Sequence, residues 1–188
     1  NSWFKEDFVD LRIGDALNLP IEDETIDVAA QNCVFNIFKL ADLRKALQES
    51  YRVLKPHGRL VMSDPICEQE MSVELKGDNR LRAMCLTGAI PLSDYIDLIT
   101  SVGFGTVEIR AKRAYRILDP KHYNTEELIY IESVEVCAIK DPNKGEALML
   151  LTDNKNADLK IIIDSMKDEH GESQLTCRAL TSLLEYQG

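Results

Sequence analysis

Residues 8–65 read FVDLRIGDALNLPIEDETIDVAAQNCVFNIFKLADLRKALQESYRVLKPHGRLVMSDP, and this stretch decides the fold. Residues 8–13 are apolar-rich and predict a short strand that ends at Gly14-Asp15. Residues 19–24 form an acidic turn. Residues 26–34 are a nearly continuous apolar run, the pattern of a parallel strand buried on both faces. Leu43, Ala46, Leu47, Tyr51 and Leu54 recur at i, i+3, i+4 and predict an amphipathic helix over 41–54. Lys55-Pro56-His57-Gly58 stops that helix, because proline disfavours helix just before itself and glycine suits a left-handed cap. Leu60-Val61-Met62 is then a short buried strand. Alternating β and α elements predict an α/β fold, a parallel sheet with helices on both faces.

Downstream, residues 66–89 read as irregular helix carrying Met71, Leu75, Leu81, Met84 and Cys85. Pro91-Leu92-Ser93-Asp94 opens a second helix that runs to Val102 and closes at Gly103. Residues 106–117 and 128–139 alternate as two long strands, a hairpin-like pair closing the sheet edge. After residue 145 the character changes. The expected division is a partial α/β domain over 1–145 and an appendage over 146–188, with helices around 159–166 and 175–186. No G-x-G-x-x-G occurs and the chain opens at Asn1. The expectation is that residues 8–65 are the second half of a nucleotide-cofactor sheet and that the chain alone is inactive, binding its cofactor weakly or not at all.

A net charge of -10 argues against partners with phosphate backbones and against anionic lipid surfaces. No run of 18 apolar residues appears. Five cysteines, at 33, 67, 85, 137 and 177, are odd in number and none pairs as C-x-x-C. They predict neither a disulfide framework nor a zinc ribbon, but reduced thiols in a cytoplasmic enzyme. His57, His122 and His170 have no cysteine or carboxylate at motif spacing and read as surface residues. Met84, Tyr95 and Tyr115 read as core.

Gly14-Asp15-Ala16, Ile26-Asp27-Val28 with Asn32, and Val53-Leu54-Lys55-Pro56-His57-Gly58 together resemble the class I S-adenosylmethionine methyltransferases. His57 stands where that family usually has glycine. Asn32-Cys33-Val34 with Asn36, followed by Met84-Cys85-Leu86-Thr87-Gly88, is similar more narrowly to the arsenite methyltransferases, in the branch tied to arsenosugar biosynthesis. The resemblance implies the C-terminal part of a Rossmann-like sheet with two long terminal strands. It implies S-adenosylmethionine as cofactor, contacted by Asp15, Ala16 and Asn32, and arsenite as substrate. It implies that Cys33 and Cys85 bind trivalent arsenic and are the catalytic pair. A thiol reductant is an implied co-reactant, and the oligomeric state stays open.

The residues themselves support this chemistry. Trivalent arsenic is soft and takes thiolate ligands. Its lone pair attacks a methyl carbon without a general base, so catalysis rests on positioning and water exclusion. The expectation is that the sulfurs of Cys33 and Cys85, 52 positions apart, meet in one pocket. Cys67 is a weaker candidate for a third thiol, and Cys137 and Cys177 read as packing residues. Asp15 has an alternative as a turn cap, and Asp27 reads as structural. Two other functions remain: methylation of an ordinary small molecule, with both cysteines merely packing, and a non-catalytic truncated homologue.

Overall fold

The computed structural model describes residues 9–141 and 148–151. In chain order these form β1 (Ile26–Asn32), α1 (Leu40–Val53), β2 (Leu54–Ile66), α2 (Val73–Gly77), α3 (Asn79–Ala83), α4 (Leu92–Val102), β3 (Thr106–Leu118), α5 (Pro120–Tyr123), β4 (Ile129–Ile139) and β5 (Leu148–Leu151). The strands make one mixed sheet in the order β1-β2-β4-β3-β5. The β1–β2 and β3–β5 pairs are parallel, and β4 is antiparallel to both of its neighbours.

α1 forms where its periodicity places it and buries Leu43, Ala46, Leu47, Ser50 and Val53. α4 buries Leu92, Tyr95, Ile96, Leu98 and Ile99, and ends at Gly103, whose φ of 124° suits a residue without Cβ. Both helices pack into one core cluster with Leu54, Leu60, Met62, Val107, Ile109, Val134 and Val136. The two long helices therefore share one core rather than flanking the sheet on both sides. The sheet is mixed rather than parallel because β3 and β4 form an antiparallel ribbon whose β4 edge docks on β2.

Three further expectations change. Residues 9–13 form no strand; Leu11 and Ile13 are 90% and 103% exposed. A strand needs a ladder partner, and among the described residues none lies beside this segment. Among the described residues β1 is likewise an end strand rather than a fully buried one, and Val28 is exposed. The short strand at 60–62 extends to thirteen residues, because Lys55-Pro56-His57-Gly58 bulges within β2 instead of preceding it: the register jumps from Ile26↔Leu54 to Val28↔Arg59. β5 lies past residue 145 and pairs with β3. Cys177, His170 and the helices expected at 159–166 and 175–186 lie outside the described residues.

β3 and β4 run beyond the main core into a second cluster: Cys67, Met71, Leu75, Leu81, Leu86, Ala89, Leu118, Ile129 and Ile131. Register shifts in β3 at Ile109/Ala111 and Ala114/Arg116 accompany the change of cluster. A bulge bends and twists its strand, which lets one ribbon serve two cores. Tyr115, between those cores on the outer side, and Met84, just past α3, are exposed rather than buried.

At the other end of β4, Lys140 enters the protein. Its Nζ donates to the carbonyls of Leu54 and Tyr51, at 2.8 and 3.0 Å, and to Glu24 Oε1 at 3.1 Å. It also lies 4.6 Å from the Tyr51 ring centroid. Lys140→Met should cost about 1–3 kcal/mol, because it strips buried carbonyls of a charged donor. Urea denaturation measures this; an unchanged midpoint would mean that water replaces the ammonium without loss.

Candidate functional site

The C-terminal end of β1 runs through Asn32 into a tight turn at Cys33, which has a φ of 57°. The Cys33 N–H donates to Ser63 O at 2.9 Å, carrying the β1–β2 ladder one residue past β1. A short 3-10 turn, Phe35–Ile37, follows and leads to α1.

The second half of the site arrives through the small α2–α3 segment. Asp78 caps α3 by accepting from the backbone of Arg80 and Leu81. Arg82 reaches back from α3 to Phe38 O at 3.1 Å and to Lys76 O at 3.0 Å. The chain then turns sharply at Cys85, with φ 59°. Gly88 sits directly on the backbone of Asn36: a Cβ there would lie 1.7 Å from Asn36 O. Asn36 is buried in turn and donates to Pro65 O at 2.8 Å. These contacts lay residues 84–89 over the C-terminal ends of β1 and β2.

As a result Cys85, which is buried, donates its thiol to Cys33 O at 2.8 Å. The two cysteines are in contact through this thiol–carbonyl bond. Burial, first, and the nearby Cys85 thiol, second, push the Cys33 thiol up to about 12, and the Asp64 charge adds to the effect. Cys33 is therefore a thiol at neutral pH. Iodoacetamide should alkylate it more slowly than a free cysteine, with a rate still climbing above pH 9. A plateau below pH 9 would contradict this environment.

Beneath Cys33 lies a polar network that sequence reading missed. Asp64 is 1% exposed. Its Oδ2 accepts from the Tyr95 hydroxyl at 2.7 Å and from Gln31 Nε2. Burial raises the Asp64 carboxyl above its ordinary value. The available signal was an aspartate at the inner end of an apolar strand, where an unpartnered carboxyl is costly. Tyr95 is buried as expected, but as a hydrogen-bond donor as well as a core residue.

Two other thiols lie among the described residues. Cys67 packs in the second cluster and donates to Gln69 O at 3.4 Å. Cys137 is fully buried in β4. Among the described residues no group of three or more His, Cys, Asp or Glu side chains could hold a metal ion. His57 is an exposed residue of the β2 bulge with φ 65°. His122 does have a carboxylate partner, Asp119 at 2.8 Å, but on the exposed first turn of α5.

Of the residues expected to contact the cofactor, Asp15 is exposed, Ala16 half-buried and Asn32 exposed. Asp15 Oδ1 accepts the Leu17 N–H at 2.9 Å, so this carboxylate does cap its turn. The following loop is bolted to α1: Glu49 accepts the Leu19 N–H, and Arg52 donates to Leu19 O, Ile21 O, Asp23 and Glu49. An exposed carboxylate on an anchored loop suits a donor such as an adenine amino group.

A family model described as "Methyltransferase domain" matches residues 2–62. The chain is 31% identical over 104 residues to the arsenite methyltransferase of Halobacterium salinarum, covering 55% of this chain and 26% of that protein. It is 37% identical over 92 residues to the arsenite methyltransferase of Aquipseudomonas alcaligenes, covering 49% of this chain and 26% of that protein. The chain thus spans about a quarter of the curated relatives it matches. Its fold superposes on CrArsM, an arsenic(III) S-adenosylmethionine methyltransferase from Chlamydomonas reinhardtii. The TM-score is 0.59 and the identity 26%, over 69% of this chain and 44% of that one. The YcgJ protein of Bacillus subtilis shares the fold at a TM-score of 0.53 and 18% identity, over 69% of this chain and 70% of that one. The chain is therefore arsenite methyltransferase-like in sequence, and its α/β fold is that of part of a class I S-adenosylmethionine methyltransferase.

Proposed function

We propose that the full-length protein transfers a methyl group from S-adenosylmethionine to trivalent arsenic held by Cys33 and Cys85. The observation that carries this reading is the thiol of Cys85 lying 2.8 Å from the Cys33 carbonyl, across 52 positions of sequence. The likeness to arsenite methyltransferases supports it.

Arsenous acid suits a pair in which the Cys33 thiol is protonated at rest. Each thiol displaces one arsenic hydroxide, and its proton leaves with that hydroxide as water. The high-lying Cys33 thiol therefore does not block capture. The sulfurs then hold arsenic with its lone pair unshared, and the covering 84–89 segment limits access of water. S-adenosylmethionine, when bound, supplies an electrophilic methyl group. Asp15 and Ala16, on the loop anchored by Glu49 and Arg52, and Asn32, one residue before Cys33, would hold the cofactor beside the arsenic site. Methyl capture takes arsenic from the trivalent to the pentavalent state, so a thiol reductant is the co-reactant that returns it. None of these steps needs a membrane, and no described helix is long and apolar enough to cross one. A cytoplasmic location, where thiols stay reduced, fits this chemistry.

The test is methylation by the full-length protein supplied with arsenite, S-adenosylmethionine and a dithiol. Methylated arsenic is the expected product. Turnover of an ordinary oxygen, nitrogen or carbon acceptor, with none of arsenite, would replace this reading by small-molecule methylation. No turnover of either would favour a non-catalytic homologue.

A further inference from the structure

We infer that Gln31 is a positioning residue for the two-thiol site, bolting the left-handed turn at Cys33 to the buried Asp64 carboxylate. The consequence for arsenic rests on the function proposed above; the geometry stands without it.

Gln31 is the penultimate residue of β1, and its carboxamide is used at both ends. Nε2 donates to Asp64 Oδ2. Oε1 accepts the Val34 N–H at 2.9 Å. That amide is the first one after Cys33, so the bond closes the turn in which Cys33 holds a φ of 57°. A non-glycine residue keeps such a conformation only where its surroundings impose it. The Cys33 N–H, held by Ser63 O, fixes the other side of the turn.

Asp64 is a firm anchor. It is 1% exposed, and the oxygen that accepts from Gln31 also accepts from the Tyr95 hydroxyl at 2.7 Å. Tyr95 is 2% exposed and belongs to the main core through α4. A continuous path therefore runs from that core through Tyr95, Asp64 and Gln31 to the backbone beside Cys33. The carboxylate also faces the Phe35 backbone N–H, one residue beyond Val34, although Oδ1 makes no full hydrogen bond. A buried carboxyl opposes folding unless donors converge on it. Here it holds the carboxamide that shapes the turn.

The turn matters because it aims the Cys33 carbonyl, the acceptor of the Cys85 thiol. If the turn relaxes, the carbonyl swings, Cys85 loses its partner, and the thiols are no longer held at one spacing. Gln31 thus controls the site without touching the substrate.

Two substitutions separate geometry from charge. Gln31→Leu keeps much of the volume and removes both hydrogen bonds. Asp64→Asn keeps one carbonyl oxygen to accept from Gln31 and Tyr95 and removes the negative charge. The probe is phenylarsine oxide, a trivalent arsenical that bridges two thiols, added to the full-length protein. Gln31→Leu should bind it about tenfold more weakly, and Asp64→Asn within about threefold of the parent. Iodoacetamide labelling of Cys33 should accelerate severalfold in Gln31→Leu and only slightly in Asp64→Asn, where just the smallest contribution to the raised Cys33 thiol is removed. The fully buried Cys137 should stay unlabelled in both variants, showing that the fold survives. In the methylation assay Gln31→Leu should raise KM for arsenite and leave KM for S-adenosylmethionine unchanged. Unchanged probe affinity and unchanged Cys33 labelling in Gln31→Leu would overturn the proposal. So would a larger loss in Asp64→Asn than in Gln31→Leu, because charge rather than the turn would then govern the site. If the parent does not bind the arsenical at all, the arsenic reading fails, and the labelling comparison still decides whether Gln31 holds the turn.

Discussion

Serine at Cys33 or at Cys85 should lower arsenite methylation by the full-length protein about a hundredfold or more, since small misplacements of a nucleophile cost that much. Serine is close to cysteine in size. Its hydroxyl is a hard ligand that does not replace a soft sulfur on trivalent arsenic. The two substitutions should differ in their structural cost. Cys33 is half-buried, and a hydroxyl there reaches water. Cys85 is buried, but its partner is a carbonyl at 2.8 Å, which a serine hydroxyl also satisfies. Both variants should therefore stay folded and keep their affinity for S-adenosylmethionine, which calorimetry measures. Near-normal arsenite turnover in both, at a temperature where they remain folded, would reduce the cysteines to packing residues.

Gly88→Ala should be the most damaging small substitution outside the cysteines. The added Cβ would lie 1.7 Å from Asn36 O and 2.7 Å from Asn36 C, both backbone atoms that no rotamer change clears. Overpacking ordinarily costs about 1–3 kcal/mol, and this site should reach the top of that range or exceed it. Relief comes only by lifting residues 84–89 away from Asn36, and that movement carries Cys85 away from Cys33. Stability and arsenical binding should therefore fall together. Denaturation midpoints and phenylarsine oxide titration check both halves. A variant with parental stability and parental affinity would mean that the segment packs elsewhere.

The regular elements were legible because each leaves a local pattern. The spacing of Leu43, Ala46 and Leu47 marks α1, and Pro91 with Gly103 brackets α4. Alternation marks β3 and β4. The pairing of Cys33 with Cys85 was legible only through resemblance, since nothing local links positions 52 apart. Both residues also adopt positive φ, which cysteine does not advertise in a sequence.

By itself the sequence determined the α/β character, the limits of α1 and α4 and the two long strands. Each of these follows from periodicity, turn residues or motif, and those act over a few residues along the chain. Only the tertiary structure decided that β4 inserts between β2 and β3 and that residues 9–13 form no strand. Strand order and edges depend on which partners are available, and pairing is not encoded within any one strand. The tertiary structure also decided the role of Asp64. A buried carboxyl is tolerated only where donors converge on it, and Gln31 and Tyr95 come to it from 33 and 31 positions away.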